Sequence, residues 1–368
     1  MLKDSSRPVV IIAMNAFRPG GSQTYAFALA RMLHDQGIQP VLVAKPGPWF
    51  KEASFSAPCV RVMWREGTAS ENSRWMKRLL LRVLEAASAR HLAIKVKNAA
   101  LIISSQPGPT AFFSKYSLRN WPEAKRMALV HGTTPVEWPF RDHVETVSQL
   151  SGLLAATSET SAFLKDQAPN MTVDELGNIF RAEMYWGQNA SEIVDTYDRQ
   201  GPAVFLGTLT PNKTAPLAAL FSAVASLGVS LVVVGGGPQE DELRRSVQER
   251  GLESQVTFVG AVTDPRPWIV RASVVVTAGR GAIESMAAGR PTVVATSDGT
   301  HGLATLSGIE ELQRYNFTGR TPSSMQATPD EMSLALTEAL ALNETERLTL
   351  SKKNERSRDH RTHRECNY

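Results

Sequence analysis

The chain has 368 residues, enough for two domains at about 150 residues each. A hydrophobic content of 42% and a charged content of 21% are ordinary for a soluble globular protein. The net charge is +4, but residues 351–368 supply +3 of it, so the rest of the chain is nearly neutral. A dedicated nucleic-acid-binding protein is therefore not expected.

The cysteine content and the N-terminal segment predict a cytoplasmic protein. Cys59 and Cys366 are the only cysteines and lie far apart, which is typical of a reducing compartment. The apolar run at residues 9–14 is short and lacks a cleavage site, so it predicts a strand rather than a signal peptide. No run reaches the roughly 18 apolar residues that a membrane-spanning helix needs.

The first half alternates strands with helices. Residues 9–14 predict a strand, residues 15–22 a glycine-proline loop, and residues 23–36 an amphipathic helix. Further strands are expected at 40–44, 100–104, 127–130 and 153–156. Alternation of this kind predicts parallel β-α-β units, whose ligands bind at the carboxyl ends of the strands.

A second series of the same kind begins at residue 203. Its strands are expected at 203–206, 230–234, 255–259, 272–276 and 292–295, and its helices at 216–227 and 239–250. Residues 181–201 are polar and irregular, so we place the domain boundary at residue 200.

Residues 279–291 follow the expected strand at 272–276 and contain two glycines before a helix of small residues. The first amides of such a helix carry partial positive charge and suit a phosphate or diphosphate. We expect Glu284 in the first turn of this helix, where it can accept hydrogen bonds from sugar hydroxyls.

The segment 61–97 is basic and contains tryptophans and a leucine cluster. A helix over 73–90 would bring Trp75, Leu79 and Val83 near one stripe. This segment either docks on anionic lipid or forms a solvated helix that partly packs on the core. The tail beyond residue 350 is charged and poor in apolar residues, which predicts disorder. His360, His363 and Cys366 lie in this tail, and no metal site is expected there.

Five short segments, in this order, resemble motifs of the retaining glycosyltransferases with the GT-B fold, in particular the large bacterial group that builds surface polysaccharides. They are the glycine loop at 19–22, the Ser-Glu element at 158–160, the opening of the second half at 207–213, the glycine-proline turn at 234–238 and the helix at 279–291.

The resemblance covers residues 8–345 and implies an α/β protein with two Rossmann-like, doubly wound domains that face a cleft. These would be an acceptor-side domain at 1–200 and a donor-binding domain at 201–345, followed by a charged tail at 346–368.

The resemblance also implies site residues. Sugar transfer from a nucleotide-diphosphate donor expels a diphosphate, whose charge is stabilised by fixed cations and helix-terminal amides without an obligatory metal or other cofactor. Lys213 would be that cation, His131 would contact the donor sugar, and Glu284 would bind the ribose. The rest of the expected donor-binding set is Arg280 with Gly20, Gly21, Gly207, Gly236, Gly237, Gly279 and Gly281. Glu137 is a less favoured candidate for an acceptor-side base. Each residue also has a plain structural explanation, as a surface lysine, a helix acid, a loop histidine or a turn glycine.

The sequence departs from the family pattern at two positions. Val276 stands where a second glutamate is common, and Thr208 stands where an arginine is usual. Arg280 or Arg290 would have to supply the missing positive charge.

Three functions are compared. The favoured one transfers a sugar to a glycan or lipid-linked acceptor, with peripheral membrane contact through 61–97 at the inner face of the membrane. The alternative is a non-catalytic nucleotide-sugar-binding subunit that partners an active transferase. A nicotinamide-dependent oxidoreductase fits poorly, because residues 19–22 are not a G-x-G-x-x-G loop.

Overall fold

The computed structural model describes residues 7–18, 20–54, 56–64, 75–133, 147–179, 197–262, 264–347 and 349. The chain divides into two compact units, Met1–Ile179 and Phe180–Tyr368. The sequence places the boundary at residue 200. Of the residues between these two boundaries, 180–196 lie outside the described residues. Most of the charged tail also lies outside them.

The first unit is built on a seven-stranded parallel sheet. Its strands are β1 (Val9–Ala16), β2 (Gln39–Lys45), β3 (Cys59–Arg61), β4 (Leu101–Ser105), β5 (Lys125–Val130), β6 (Gly152–Ala155) and β7 (Val173–Glu175). They are ordered β3-β2-β1-β4-β5-β6-β7. The central strands are buried along most of their length because helices cover both faces of a parallel sheet.

Five helices accompany this sheet within the described residues. They are α1 (Gly21–Asp35), α2 (Phe50–Ser54), α3 (Trp75–Lys95), α4 (Pro107–Asn120) and α5 (Ser158–Gln167). Side chains from β1 divide between two apolar clusters, with Ile12 and Met14 in one and Ile11 and Ala13 in the other. The alternation follows from the two-residue period of a strand.

The second unit has a six-stranded sheet in the order β10-β9-β8-β11-β12-β13. Its strands are β8 (Ala203–Leu206), β9 (Leu231–Val234), β10 (Val256–Gly260), β11 (Val274–Thr277), β12 (Thr292–Thr296) and β13 (Gly299–Leu303). Only β13 runs antiparallel to its neighbour among these described strands.

Seven helices belong to the described part of the second unit. They are α6 (Pro211–Thr214), α7 (Leu217–Leu227), α8 (Glu240–Glu249), α9 (Arg266–Ile269), α10 (Arg280–Ala287), α11 (Ile309–Arg314) and α12 (Pro329–Ala341). Helices α7 and α12 pack on the sheet through fully buried residues such as Leu220 and Leu336.

Both sheets reverse their strand order next to their first strand. In the first unit β1 lies between β2 and β4, and in the second unit β8 lies between β9 and β11. The loops at the carboxyl ends of these central strands diverge to opposite faces of the sheet, which leaves a crevice where ligands of open α/β sheets bind. The two most favourable places for a ligand are therefore the ends of β1 and β4 and the ends of β8 and β11.

Three glycine-containing loops of the second unit pack against each other at this edge. Gly235 has φ +145°, and a Cβ there would strike the Gly207 carbonyl oxygen. A Cβ on Gly237 would lie 2.5 Å from the Leu209 carbonyl oxygen, and one on Gly236 would lie 3.1 Å from the Ala261 Cβ. The loops after β8, β9 and β10 can approach so closely only because these positions lack side chains.

The expected fold class is confirmed, with two doubly wound Rossmann-like sheets. The expected strands occur within two residues of their observed ends. Strands β3, β7 and β13 and helix α4 are additional. No helix among the described residues combines the length and apolar character needed to cross a bilayer.

Candidate functional site

Lys213 lies on the one-turn helix α6, in the loop that follows β8. Hydrogen bonds of Asn212 and Thr214, the residues before and after Lys213, anchor this helix. Asn212 donates from Nδ2 to the Ser297 Oγ at 3.0 Å, and its carbonyl accepts from the Ser297 amide at 2.8 Å. On the other side, the Thr214 hydroxyl donates to the Gln239 Oε1 at 2.6 Å. The backbone that carries Lys213 is therefore fixed between the turn after β12 and the start of α8.

The Lys213 side chain reaches the turn that follows β11. A Cβ built on Gly279 would lie 3.8 Å from the Lys213 Nζ. The two residues are 66 positions apart in sequence, and the doubly wound topology brings them together at the carboxyl ends of β8 and β11. No described residue makes a hydrogen bond or an ion pair with this ammonium group.

Helix α10 begins directly at this turn. Gly279 is its N-cap, with φ +66° and ψ −129°, and no side chain caps the helix. A side chain on Gly281 would strike the Thr277 hydroxyl, so the first turn of α10 sits close against β11. Uncapped amides at a helix start carry partial positive charge and bind anions. The Lys213 ammonium thus lies beside a second source of positive potential.

A loop at residues 316–320 lies over the same turn. The Gly279 amide donates to the Phe317 carbonyl at 2.6 Å, and a Cβ on Gly279 would lie 3.9 Å from the Asn316 carbonyl oxygen. Asn316 and Phe317 both have positive φ, 56° and 52°. Arg320, at the end of this loop, is close enough to Lys213 for charge repulsion between them.

These surroundings lower the pKa of Lys213 to about 8. Burial of the ammonium is the main cause, and the positive charge of Arg320 acts in the same direction. The carboxylate of Asp298, in the turn between β12 and β13, opposes them. Excess positive charge in a partly desolvated place is the electrostatic signature of an anion site.

Glu284 is buried and paired with Arg280 on the same helix. The Arg280 Nε donates to the Glu284 Oε1 at 2.8 Å, and 6% of Glu284 is exposed. The expectation that Glu284 lies in the first turn is wrong. Helix α10 starts at Arg280, so Glu284 is its fifth residue and lies one turn further on, where Arg280 can reach it.

Arg290 lies away from this anion site. It precedes β12 at the amino end of the sheet, 2% exposed, with its guanidinium 5.2 Å from the ring centre of Tyr197. Arg347 stacks on the same ring at 3.7 Å. Arg290 therefore cannot supply the charge that Thr208 lacks, because the anion site lies at the opposite edge of the sheet.

Val276 is fully enclosed in the sheet. It pairs with Phe205 and Val293 in the neighbouring strands and belongs to the main apolar cluster of the unit. Only Ala278 and Gly279 separate β11 from α10. A glutamate eight residues before Glu284 would thus point into the core rather than into a site.

His131 lies in the first unit, at the carboxyl end of β5. Its Nε2 is 3.0 Å from the Ser105 Oγ at the end of β4, and its ring packs edge-on against Tyr25 with centroids 5.0 Å apart. Burial lowers the pKa of His131 to about 4, so the imidazole is neutral at pH 7. It can exchange hydrogen bonds with neutral hydroxyls but adds no charge.

Gly20 and Gly21 start α1, beside the same edge of the first sheet. A Cβ on Gly20 would strike the Gln23 amide oxygen, whereas a Cβ on Gly21 meets nothing within 4 Å. Gln106, with φ +80°, accepts at Oε1 from the Asn15 amide at 2.9 Å. These groups form a polar rim at the ends of β1 and β4, where a doubly wound sheet binds ligands.

The expected residues form one group in each unit. In the second unit Lys213 lies near Gly207 and Gly279. Three more expected residues lie on α10, namely Arg280, Gly281 and Glu284. Gly236 and Gly237 are explained by loop packing. In the first unit Gly20, Gly21 and His131 share one sheet edge.

Sequence reasoning missed Arg320, Asp298, Ser105 and Gln106, because no local motif marks them. Glu137 and the three tail residues His360, His363 and Cys366 lie outside the described residues.

Comparison with known proteins relates this architecture to sugar transferases. Residues 202–312, most of the described second unit, match the family model of glycosyl transferases group 1. No curated protein sequence matches the chain.

Solved structures of similar fold span nearly the whole chain. HepE of Anabaena, in complex with UDP and glucose, has a TM-score of 0.64 at 15% identity, over 95% of this chain and 98% of its own. A point mutant of TarM of S. aureus, in complex with Fondaparinux, alpha-GlcNAc-glycerol and UDP, has a TM-score of 0.68 at 11% identity, over 95% and 96%. WaaG, a glycosyltransferase involved in lipopolysaccharide biosynthesis, has a TM-score of 0.59 at 13% identity, over 95% of both chains. The chain therefore has the GT-B fold of such glycosyltransferases.

Deprotonation of Lys213 should weaken anion binding. The pKa of Lys213 is about 8, and only its protonated form attracts an anion, so the affinity for a diphosphate should fall about tenfold between pH 7 and pH 9. Calorimetric titration across this range measures the loss. Lys213→Arg is the control, because arginine stays charged and should remove most of this pH dependence. An unchanged profile in Lys213→Arg would assign the effect to another group.

Proposed function

We propose that the protein is a glycosyltransferase that moves a sugar from a nucleotide-diphosphate sugar to a glycan or lipid-linked acceptor. The observation that carries this proposal is the Lys213 ammonium beside the uncapped start of α10, at the switch point of the second sheet. A diphosphate is the ligand that such a place favours. The family match over residues 202–312 supports the same function.

The leaving group defines what this site must do. As the bond between the sugar C1 and the diphosphate oxygen breaks, its electron pair and a growing negative charge move to the diphosphate. Lys213 and the first amides of α10 are fixed in advance where this charge develops, so they stabilise the transition state more than the ground state. In this proposal these protein groups perform the task without a bound metal ion.

Retention of the anomeric configuration is part of the proposal. The acceptor oxygen forms its bond to C1 on the face that the diphosphate leaves, and the leaving phosphate oxygen takes the proton of the acceptor hydroxyl. This route needs no protein nucleophile.

Two further residues have proposed roles. Glu284 is proposed to bind the ribose hydroxyls, and neutral His131 to contact the donor sugar. A uridine nucleotide is a reasonable first donor to test, since the similar HepE structure holds UDP and glucose. A role in surface polysaccharide synthesis is supported by the likeness to WaaG.

The decisive experiment measures turnover. The purified chain is mixed with a panel of nucleotide sugars, with and without lipid-linked acceptors, and the released nucleoside diphosphate is measured. Lys213→Ala should lower this release at least about a hundredfold, because a preorganised charge contact to the leaving group is lost. Added EDTA should leave the rate unchanged.

The matched control is Lys165→Ala, which removes an exposed lysine from α5 of the first unit. It should retain wild-type turnover. Tight binding of a nucleotide without turnover across the panel would instead support the alternative function, a non-catalytic binding subunit. Failure to bind any nucleotide would refute both functions.

The role of Glu284 is separable from its ion pair with Arg280. Wild-type protein should bind UDP more tightly than 2′,3′-dideoxy-UDP, by roughly tenfold or more, because hydrogen bonds to a carboxylate are strong. Glu284→Gln should lose most of this preference.

Arg280→Gln is the matched variant for this test. It breaks the same ion pair but leaves the carboxylate in place, so it should keep the preference for ribose. An equal loss in both variants would show that Glu284 only orders α10. Isothermal titration of the two nucleotides gives the comparison.

We also propose that α3 touches an anionic membrane. Its core-facing side carries Glu85, Ala89 and Leu92, all buried. Its opposite side exposes Leu80 and Val83, each 58% accessible. Apolar side chains flanked by exposed basic residues are typical of an interfacial helix. The exposed basic residues are Arg82, Arg90, Lys95 and Lys97.

Vesicle flotation tests this contact. The chain should bind vesicles with about 30% phosphatidylglycerol and not neutral vesicles, and the double variant Leu80→Ser/Val83→Ser should lose most of the binding. Leu334→Ser, which changes an exposed leucine on α12, is the control. Equal binding by both variants would locate the contact elsewhere.

A further inference from the structure

The anion site needs more positive charge than the residues predicted from sequence provide. Thr208 replaces an arginine of the resembled family, Arg280 is engaged by Glu284, and Arg290 packs against Tyr197 at the other end of the sheet. A diphosphate carries two to three negative charges, which one ammonium and one helix start offset only in part. A second cation is therefore to be sought among residues that the fold brings to this place.

The loop at residues 316–320 is held rigidly over the site. Phe317 accepts from the Gly279 amide at 2.6 Å, and the Gly319 amide donates to the Thr296 hydroxyl at 3.2 Å. A side chain on Gly319 would strike the Gly299 carbonyl, so this loop and the turn after β12 pack backbone to backbone. These contacts fix the loop to the ends of β11 and β12.

The segment after Arg320 is fastened as well. The Thr321 hydroxyl lies 2.9 Å from the His301 Nδ1 and 2.7 Å from the Ser324 Oγ. Arg320 thus stands between two anchored points rather than on a free surface loop. Arg320 is half-buried, and its positive charge acts on the Lys213 ammonium.

Two cations in one partly desolvated place repel each other, and Asp298 is the acid that acts on Lys213 there. The fold nevertheless fixes the backbone that carries each cation by separate sets of hydrogen bonds. An anion that contacts both would relieve this repulsion, which is how phosphate sites built from paired cations gain affinity.

We propose that Arg320 is the second cation of the diphosphate site and binds the leaving diphosphate together with Lys213. This inference rests on the proposed glycosyltransferase function. Arg320 supplies the positive charge that Thr208 lacks, from the loop that packs on the Gly279 turn. A guanidinium suits the task because its planar fork binds two phosphate oxygens at once.

Nucleotide binding by the full-length chain tests the inference. The tightest ligand among UDP, GDP, ADP and TDP is chosen, and its affinity is compared with that of the matching nucleoside. Arg320→Gln should weaken diphosphate binding roughly ten- to hundredfold and leave nucleoside binding unchanged. Arg320→Lys should retain part of the affinity. Arg314→Gln, at the exposed end of α11, is the charge-matched control and should bind like wild type.

A second readout separates direct action from a structural effect. Arg320 lowers the pKa of Lys213, so Arg320→Gln should move the midpoint of the pH-dependent loss of binding to higher pH. A residue that merely stabilised the loop would leave this midpoint in place.

The outcomes distinguish the inference from the function on which it rests. If wild-type protein binds none of the nucleotides, the proposed function falls and the inference falls with it. If wild-type protein binds but Arg320→Gln binds equally well, only the inference is overturned. It is also overturned if Arg320→Gln loses nucleoside and diphosphate binding alike together with a lower melting temperature.

Discussion

The candidate site of the second unit depends on one electrostatic constraint, which is that the buried Lys213 ammonium is held beside an uncapped helix start and near a second cation. Burial and Arg320 both disfavour the charged form of Lys213, and the carboxylate of Asp298 compensates only in part. Such an arrangement is unfavourable in the free protein and persists because hydrogen bonds of Asn212 and Thr214 fix the backbone. An anion removes the penalty. A site that is already ordered and positively charged before the ligand arrives needs little reorganisation when negative charge develops on a leaving group.

Most of the glycines at this edge of the second sheet are explained by the packing of its loops. The loops after β8, β9 and β10 are joined by backbone hydrogen bonds, with Leu209 donating to Gly236 and Gly235 to Gly260. A side chain on Gly235 would strike the Gly207 carbonyl. Loop packing is therefore a sufficient explanation for these glycines. Their effect on a ligand is indirect, since they allow the loop that carries Lys213 to pack closely on its neighbours. Gly279 differs, because a Cβ there would not clash with a neighbouring loop and would lie at ordinary contact distance, 3.8 Å from the Lys213 Nζ and 3.9 Å from the Asn316 carbonyl oxygen.

The sequence predicts the strands well because each central strand is a short apolar run between polar loops. It also locates the expected phosphate turn, because a strand, a glycine and a helix of small residues follow each other directly. It fails on Glu284, whose place in the helix depends on whether α10 starts at Arg280 or two to three residues later. It also fails on Arg320 and Asp298. Arg320 reaches the site because residues 316–320 pack on Gly279, and Asp298 does so because the turn after β12 is bonded to Asn212. No periodicity or local motif records these long-range contacts. The sequence alone does not explain why position 276 holds valine and not glutamate. In the structure only two residues connect β11 to α10, and a longer connection would be needed to bring a carboxylate out of the sheet.

The charge states of Lys213 and His131 indicate different ligand groups for the two units. In the second unit the candidate groups are cations, and their charge matches a diphosphate. In the first unit the comparable position is held by His131, whose pKa of about 4 keeps it neutral, hydrogen-bonded to Ser105 and packed against Tyr25. A neutral imidazole contributes little to binding a phosphate, but it can donate to one hydroxyl and accept from another. Sugar hydroxyls are such partners. The two units therefore offer different chemistry, fixed positive charge suited to an anion in the second unit and neutral hydrogen-bonding groups suited to hydroxyls in the first.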